Sequence, residues 1–139
     1  MKKTNPGIAI KLYRKSNWCY KHNLKFLANI LSRIIYLMCN CVIYPTIKIG
    51  KGTQIPHSVG IVLHQHSEIG ENCVIYQNVT IGNGNGPRIG SNCIIGTGAV
   101  ILGDIKIGNN VNIGATAVVL MDIPDNCTVV GIPGRIVKK

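Results

Sequence analysis

Acidic residues are the first scarcity. Five Asp and Glu stand against fifteen Lys and Arg, a formal charge of +10, and no carboxylate occurs before Glu68. Eight of the cations, Lys2, Lys3, Lys11, Arg14, Lys15, Lys21, Lys25 and Arg33, precede residue 43, so the chain is electrostatically two-part. A basic end of this kind suits nucleic acid, anionic lipid or a phosphorylated small molecule, or is simply a solvated face, and bulk charge does not separate these. Aromatics are scarce too, with one Trp and one Phe, whereas glycine numbers sixteen. That balance points away from an ordinary helical or sandwich core and toward a fold with many tight turns.

Long apolar runs are lacking. The longest, Phe26 to Met38, is interrupted by Arg33 and is too short for a membrane span. No apolar stretch with a small-residue cleavage site follows Lys2 and Lys3, so a cytoplasmic protein is expected. Cysteine pairs with metal or redox spacing are lacking as well. Cys39-Asn40-Cys41 fits neither pattern and Cys19 is alone, so free thiols are expected. An apolar content of 46% and a mean hydropathy of +0.24 still provide for a real core.

What is present is a repeat. Ile69, Ile75 and Ile81, then Ile89, Ile95, Ile101, Ile107, Ile113 and Val119, recur every six residues except across 81 to 89. Ile43, Ile49 and Ile55 keep the step upstream, and Ile55 to Ile69 is two residues longer than whole repeats. Four residues after the ladder positions stands a smaller column, including Thr53, Cys73, Val79, Cys93, Ala99, Ile105, Val111, Ala117 and Ile123. Glycine and asparagine fill the intervening turns. Neither a helical nor a strand period generates six, whereas a parallel β-helix with three hexapeptides per coil does. Cys73, Cys93 and Cys127 then read as small buried hydrophobes. Residues 1–41 differ. Leu24, Leu27, Leu31, Ile34, Ile35 and Met38 recur at helical spacing, and a shorter helix is expected around Ile8 to Tyr20, behind Pro6 and Gly7. The expected organisation is a basic helical segment, 1–41, followed by a β-helix with a C-terminal tail, 42–139.

Three of the four histidines lie in IPHSVGIVLHQH, residues 55 to 66. His57 sits two residues past Ile55, near a corner, where a side chain faces out. An outward imidazole titrating near neutrality suits a general base, with an exposed corner histidine as the bland alternative. The close spacing of His57, His64 and His66 fits a zinc site poorly, and no metal is expected.

The stretch IPHSVGIVL, the following IGENCVIYQNVTIGNG and the closing GIPGRIVKK resemble the serine acetyltransferase family over about residues 8 to 139. The resemblance implies a mainly β protein, a left-handed parallel β-helix preceded by a short N-terminal helical segment and usually trimeric. It also implies acetyl-coenzyme A as cosubstrate, bound between neighbouring β-helices, with His57 as the catalytic base. Gly96, Gly98, Ala99, Gly103, Ala115, Ala117 and Pro133 are then expected along the coenzyme, and Arg135, Lys138 and Lys139 at its phosphates. His64, His66, Asn83 and Asn85 are expected around the acceptor, the last two in the GNGNGPR loop.

Departures from that family are equally legible. Val42 stands where an aspartate orients the base, Pro56 where another acid precedes it, and Asn85 and Gly86 where the loop carries a basic pair and a second histidine. These losses favour an acetyl-CoA O-acetyltransferase acting on a sugar or surface polysaccharide precursor, with serine acetylation for cysteine biosynthesis as the alternative and a non-catalytic scaffold after both. A homotrimer is expected, and no nucleic acid partner. The basic helices either lie on an anionic membrane or cap the first coil.

Overall fold

The computed structural model describes residues 6 to 138, with Lys138 as backbone only; Lys2, Lys3 and Lys139 lie outside the described residues. Two helices, α1 (Ile8–Lys21) and α2 (Lys25–Cys39), precede fourteen short strands. The strands stack into three sheets. Sheet 1 holds β1 (Val42–Ile43), β3 (Val62–Leu63), β6 (Thr80–Gly82), β9 (Val100–Leu102) and β12 (Val118–Val119). Sheet 2 holds β2 (Lys48–Ile49), β4 (Glu68–Ile69), β7 (Arg88–Ile89) and β10 (Lys106–Ile107). Sheet 3 holds β5 (Val74–Ile75), β8 (Ile94–Ile95), β11 (Asn112–Ile113), β13 (Thr128–Val130) and β14 (Arg135–Lys138). Every pairing is parallel except β13 with β14. This is the expected parallel β-helix.

The register explains the irregular spacings. Coils running Val42, Val62, Thr80, Val100 and Val118 are 20, 18, 20 and 18 residues long. The two longer coils carry the extra pairs of residues. One lies between Ile55 and Leu63, at the corner from sheet 3 to sheet 1. The other lies between Ile81 and Ile89, at the corner from sheet 1 to sheet 2. One expectation is corrected here. Ile123 belongs to the ladder rather than to the smaller column, because it bridges Ile107 in sheet 2. The step from Val119 is four, so the last coil has lost two residues at the corner that was enlarged two coils below.

Inside, the ladder isoleucines and the smaller column form one apolar core. Ile55, Ile75, Ile81, Ile95 and Ile101 are fully buried, as are Cys41, Cys73, Cys93, Ala99 and Ala117. All six cysteines are buried free thiols. One corner is regular throughout, with Asn72, Asn92, Asn110 and Asn126 repeating a left-handed residue from sheet 2 to sheet 3, while Asn78 and Thr116 do so at the sheet 3 to sheet 1 corner above its enlarged turn and Asn40 does so at the C-cap of α2. Asparagine tolerates that region better than most residues, and its amide can also tie one coil to the next, as Asn110 does by donating to Asn126 at 2.9 Å.

The helices cover the first coil. Ala9, Ile10, Tyr13, Ile35 and Cys39 join the same core as the coils, so the core runs unbroken across residue 41. The Tyr13 hydroxyl donates to the Ile47 carbonyl at 2.6 Å, Asn17 donates to the Pro45 carbonyl, and the Arg14 guanidinium donates to the carbonyls of Ile49 and Gly50. Groups that would form an open strand edge are thereby satisfied. Gly7, at φ 90°, precedes α1, and a Cβ there would fall 1.8 Å from the Ile55 carbonyl oxygen.

On α2 the structure revises the expected stripe. The buried line is Ala28, Ile35 and Cys39; Leu24, Leu27 and Met38 are exposed. The helix is apolar on nearly every side, and the periodicity alone did not reveal which side meets the coils.

Candidate active site

His57 is exposed on the enlarged sheet 3 to sheet 1 corner. The turn is pinned from below. Ile55 N–H donates to the Pro6 carbonyl at 2.9 Å, the Ser58 hydroxyl donates to the Ile55 carbonyl at 3.1 Å, and the Ala9 N–H donates to Ser58 Oγ at 3.3 Å. Above, the Tyr76 ring lies near-parallel to the imidazole, with centroids 6.4 Å apart. Sequence reasoning missed Tyr76, although the register held the signal: Tyr76 follows Ile75 as Pro56 follows Ile55, one coil on.

The same corner continues upward through Gln77 and Asn78, then Gly96 and Gly98, then Ala115. Neighbouring coils are about 4.8 Å apart, so a base in the first coil and small residues in the third and fourth form one strip about 10–15 Å long. Gly96 is also needed by the fold, since a Cβ there would lie 2.6 Å from Ala115 N. Ala99 and Ala117 lie at the same corner but are fully buried, so their side chains face the interior and only their backbone borders the strip. Pro133 and Arg135 are exposed in the tail that folds over the last coil. Lys138 is placed on β14, opposite Thr128.

His64 and His66 occupy a different corner, from sheet 1 to sheet 2, with their rings 5.3 Å apart. The enlarged loop one coil above carries Asn83 and Asn85. His66 and Asn85 line a pocket of about 440 Å³ together with Gln65 and Ser67. Asn83 Oδ1 accepts from Gly103 N–H at 2.7 Å, and the Asn85 amide donates to Asp104 at 3.2 Å, so part of each side chain is engaged within the loop. Gly103 sits at this corner too, rather than on the strip with Gly96. Within one chain, therefore, His57 is not brought together with His64, His66, Asn83 and Asn85; the width of sheet 1 separates them.

Electrostatics around these groups is sparse. Glu68 is tied to Lys48 at 2.6 Å, a hydrogen bond that holds its carboxyl below the usual range. Two buried polar atoms have no hydrogen-bond partner among the described residues: Ser67 Oγ, behind His66, and Gln77 Oε1, one coil above His57. Among the described residues no three His, Cys, Asp or Glu side chains converge as a metal site would require. A cavity of about 1140 Å³ lies elsewhere, between α1 and the charged face of sheet 2, and contains none of the expected site residues.

The bacterial transferase hexapeptide (six repeats) family matches residues 86–120. Serine acetyltransferase of Synechococcus elongatus is 41% identical over 140 residues, covering 95% of this chain and 57% of that protein. The Bacillus pumilus serine acetyltransferase is 42% identical over 136 residues, covering 93% of this chain and 62% of that protein. A solved serine acetyltransferase in complex with CoA superposes with a TM-score of 0.87 at 40% identity, over 93% of this chain and 55% of its own. The chain belongs to the serine acetyltransferase-like hexapeptide-repeat family. It spans little more than half the length of these relatives.

Proposed function

We propose that the chain is an acetyl-coenzyme A dependent O-acetyltransferase with His57 as its general base, Arg135 and Lys138 toward the coenzyme phosphates, and serine, named in its relatives, as the first acceptor to test. The single observation that carries this reading is the strip itself. An outward histidine stands at the foot of a lane of small residues, on one corner of a family whose structure with CoA superposes on 93% of the chain. A thioester at His57 and a coenzyme arm along Gly96, Gly98 and Ala115 would run parallel to the helix axis. The acceptor oxygen attacks the thioester carbonyl while its proton passes to the imidazole. The carbon–sulfur bond then breaks, and the imidazolium returns the proton to the departing thiolate.

A trimer completes this arrangement. The outward column of sheet 1, Val42, Val62, Thr80, Val100 and Val118, is apolar or β-branched throughout, whereas that of sheet 2 is Lys48, Glu68, Arg88 and Lys106. Packing sheet 1 around a three-fold axis covers the apolar column and sets His57 of one copy beside the Asn83–Asn85 loop and His64 of the next.

A sugar or surface polysaccharide precursor is the second reading, favoured by one feature. Val42, Pro56, Asn85 and Gly86 are neutral, and of the carboxylates at the loop corner Glu68 is engaged by Lys48 and Asp104 accepts from Asn85, so an amino acid's ammonium would have to compete for either. The deciding experiment compares kcat/KM for serine, nucleotide sugars, monosaccharides and oligosaccharides by thiol release from acetyl-CoA. Serine as the best acceptor establishes the first reading, and a sugar as the best establishes the second. No thiol release with any of them removes the activity. His57→Ala is expected to lose about 10²- to 10⁴-fold in kcat while still binding CoA; near-normal turnover would refute its role as base.

A further inference from the structure

The outer face of α2 is apolar and, among the described residues, exposed. Opposite the buried line of Ala28 and Ile35, the residues Phe26, Ile30 and Leu37 share one outward stripe, and Phe26 and Leu37 are 81% and 80% exposed. A helix apolar on both faces is normally enclosed. Alongside it, α1 turns outward Lys11, Lys15, Trp18 and Lys21, with Trp18 stacked on His22 at 4.1 Å. Between the two helices lies an apolar cleft of about 480 Å³, walled by Trp18, Cys19, Leu27 and Leu31, with Lys15 at its rim. Lys25 and Arg33 flank the stripe, and no acidic residue occurs anywhere before Glu68.

From this face we infer that the helix hairpin docks the protein on an anionic lipid bilayer, lying in the interface with Phe26, Ile30, Leu37 and Trp18 turned into the lipid. Charge selects the occupant. A face carrying Lys11, Lys15, Lys25 and Arg33 with no acid is complementary to a negatively charged lipid surface, whereas a self-complementary contact between two copies would set these cations against one another. Bulky apolar side chains ringed by lysine and arginine are the composition of helices that lie in the headgroup layer. Among the described residues no helix is long and apolar enough to cross a membrane, so the contact is peripheral. The helices that close the first coil with one face are thus free to carry a membrane contact on the other.

Trp18 is the sole tryptophan of the chain and supplies the readout. The intact protein is mixed with phosphatidylcholine vesicles made with or without phosphatidylglycerol, and tryptophan emission and cosedimentation are followed. The expected result is a blue shift and sedimentation with the phosphatidylglycerol vesicles only, weakened about tenfold by molar salt. Phe26→Ser combined with Leu37→Ser abolishes binding, and Lys15→Gln with Lys25→Gln and Arg33→Gln weakens it. Both variants keep the wild-type melting temperature, because all five residues point away from the core. No binding of the wild-type protein, or binding indifferent to both variants, overturns the inference. So does a lipid-free assembly of doubled mass that disappears with Phe26→Ser and Leu37→Ser, which would give the face to a second copy.

Discussion

Ser67 and Gly96 mark how little room a coil leaves a side chain. Ser67 occupies an inward position used elsewhere by Cys73, Cys93 and Ala99, and its hydroxyl has no partner among the described residues. A buried hydroxyl without a bond costs about 1–3 kcal/mol, so Ser67→Ala is expected to raise the melting temperature; a drop would mean that the hydroxyl is bonded in solution. Gly96→Ala acts in the opposite direction. Its Cβ would meet Ala115 N at 2.6 Å, forcing the third and fourth coils apart at a cost of about 1–3 kcal/mol, read as a lower melting temperature. The buried thiols of Cys39 and Cys41 are pushed up by desolvation. Hydrogen bonding to Cys73, together with burial, pushes up that of Cys93. Hydrogen bonding to Cys93 shifts Cys73 the other way, down to about 7, so it is burial of all six cysteines that should make a thiol reagent at neutral pH label the native protein slowly and reach them all only in denaturant. At this scale the sequence was informative about the interior. Size alone sorts Ile95 from Ala99, and Ile123 was misplaced only because two residues are missing before it. The corners were less legible. That His57 and His64 sit on opposite edges of sheet 1 depends on where an extra pair of residues is absorbed, which spacing does not reveal.

Among the elements, α1 does the most for its length. The Arg14 guanidinium satisfies two carbonyls at the edge of β2, and hydrogen bonds to a charged group are each worth about 1.5–3 kcal/mol. Arg14→Met keeps the stem but should destabilise by a comparable amount and raise amide exchange in β2 first. Uniform loss of protection across all coils would contradict that local role. The existence of both helices was legible from spacing, with ends within a residue or two at Ile8–Lys21 and Lys25–Cys39. The buried side of α2 was not, because Phe26, Ile30, Ile35 and Leu37 give apolar character all round and only packing into the shared core distinguishes Ile35 from Leu37.

For the whole molecule, the proposed assembly turns on one face. Val62→Glu with Val100→Glu places carboxylates in the outward column of sheet 1 without touching the interior. It should convert the proposed trimer to monomers by sedimentation velocity and abolish acetyl transfer, since the two corners of neighbouring copies would then no longer meet. An active monomer would show that one chain holds a complete site. The acceptor was the least legible property. The residues that suggest a sugar are absences, Val42 and Pro56 among them, while the relatives that match 93% or more of the chain are serine acetyltransferases.

The two ends of the coil stack are closed by unlike means, the helices below and the antiparallel β14 above, where Gly134 N–H also reaches the Val118 carbonyl at 2.7 Å. In the language of crystal growth, each coil is a layer able to template the next, and both growth faces are poisoned. The chain is therefore a stack of fixed thickness, unable to add another molecule's coil to either end. Removing residues 131–138 would clear the upper face alone, so the shortened protein should pair upper face to upper face and grow no further, because the helices still close the lower one.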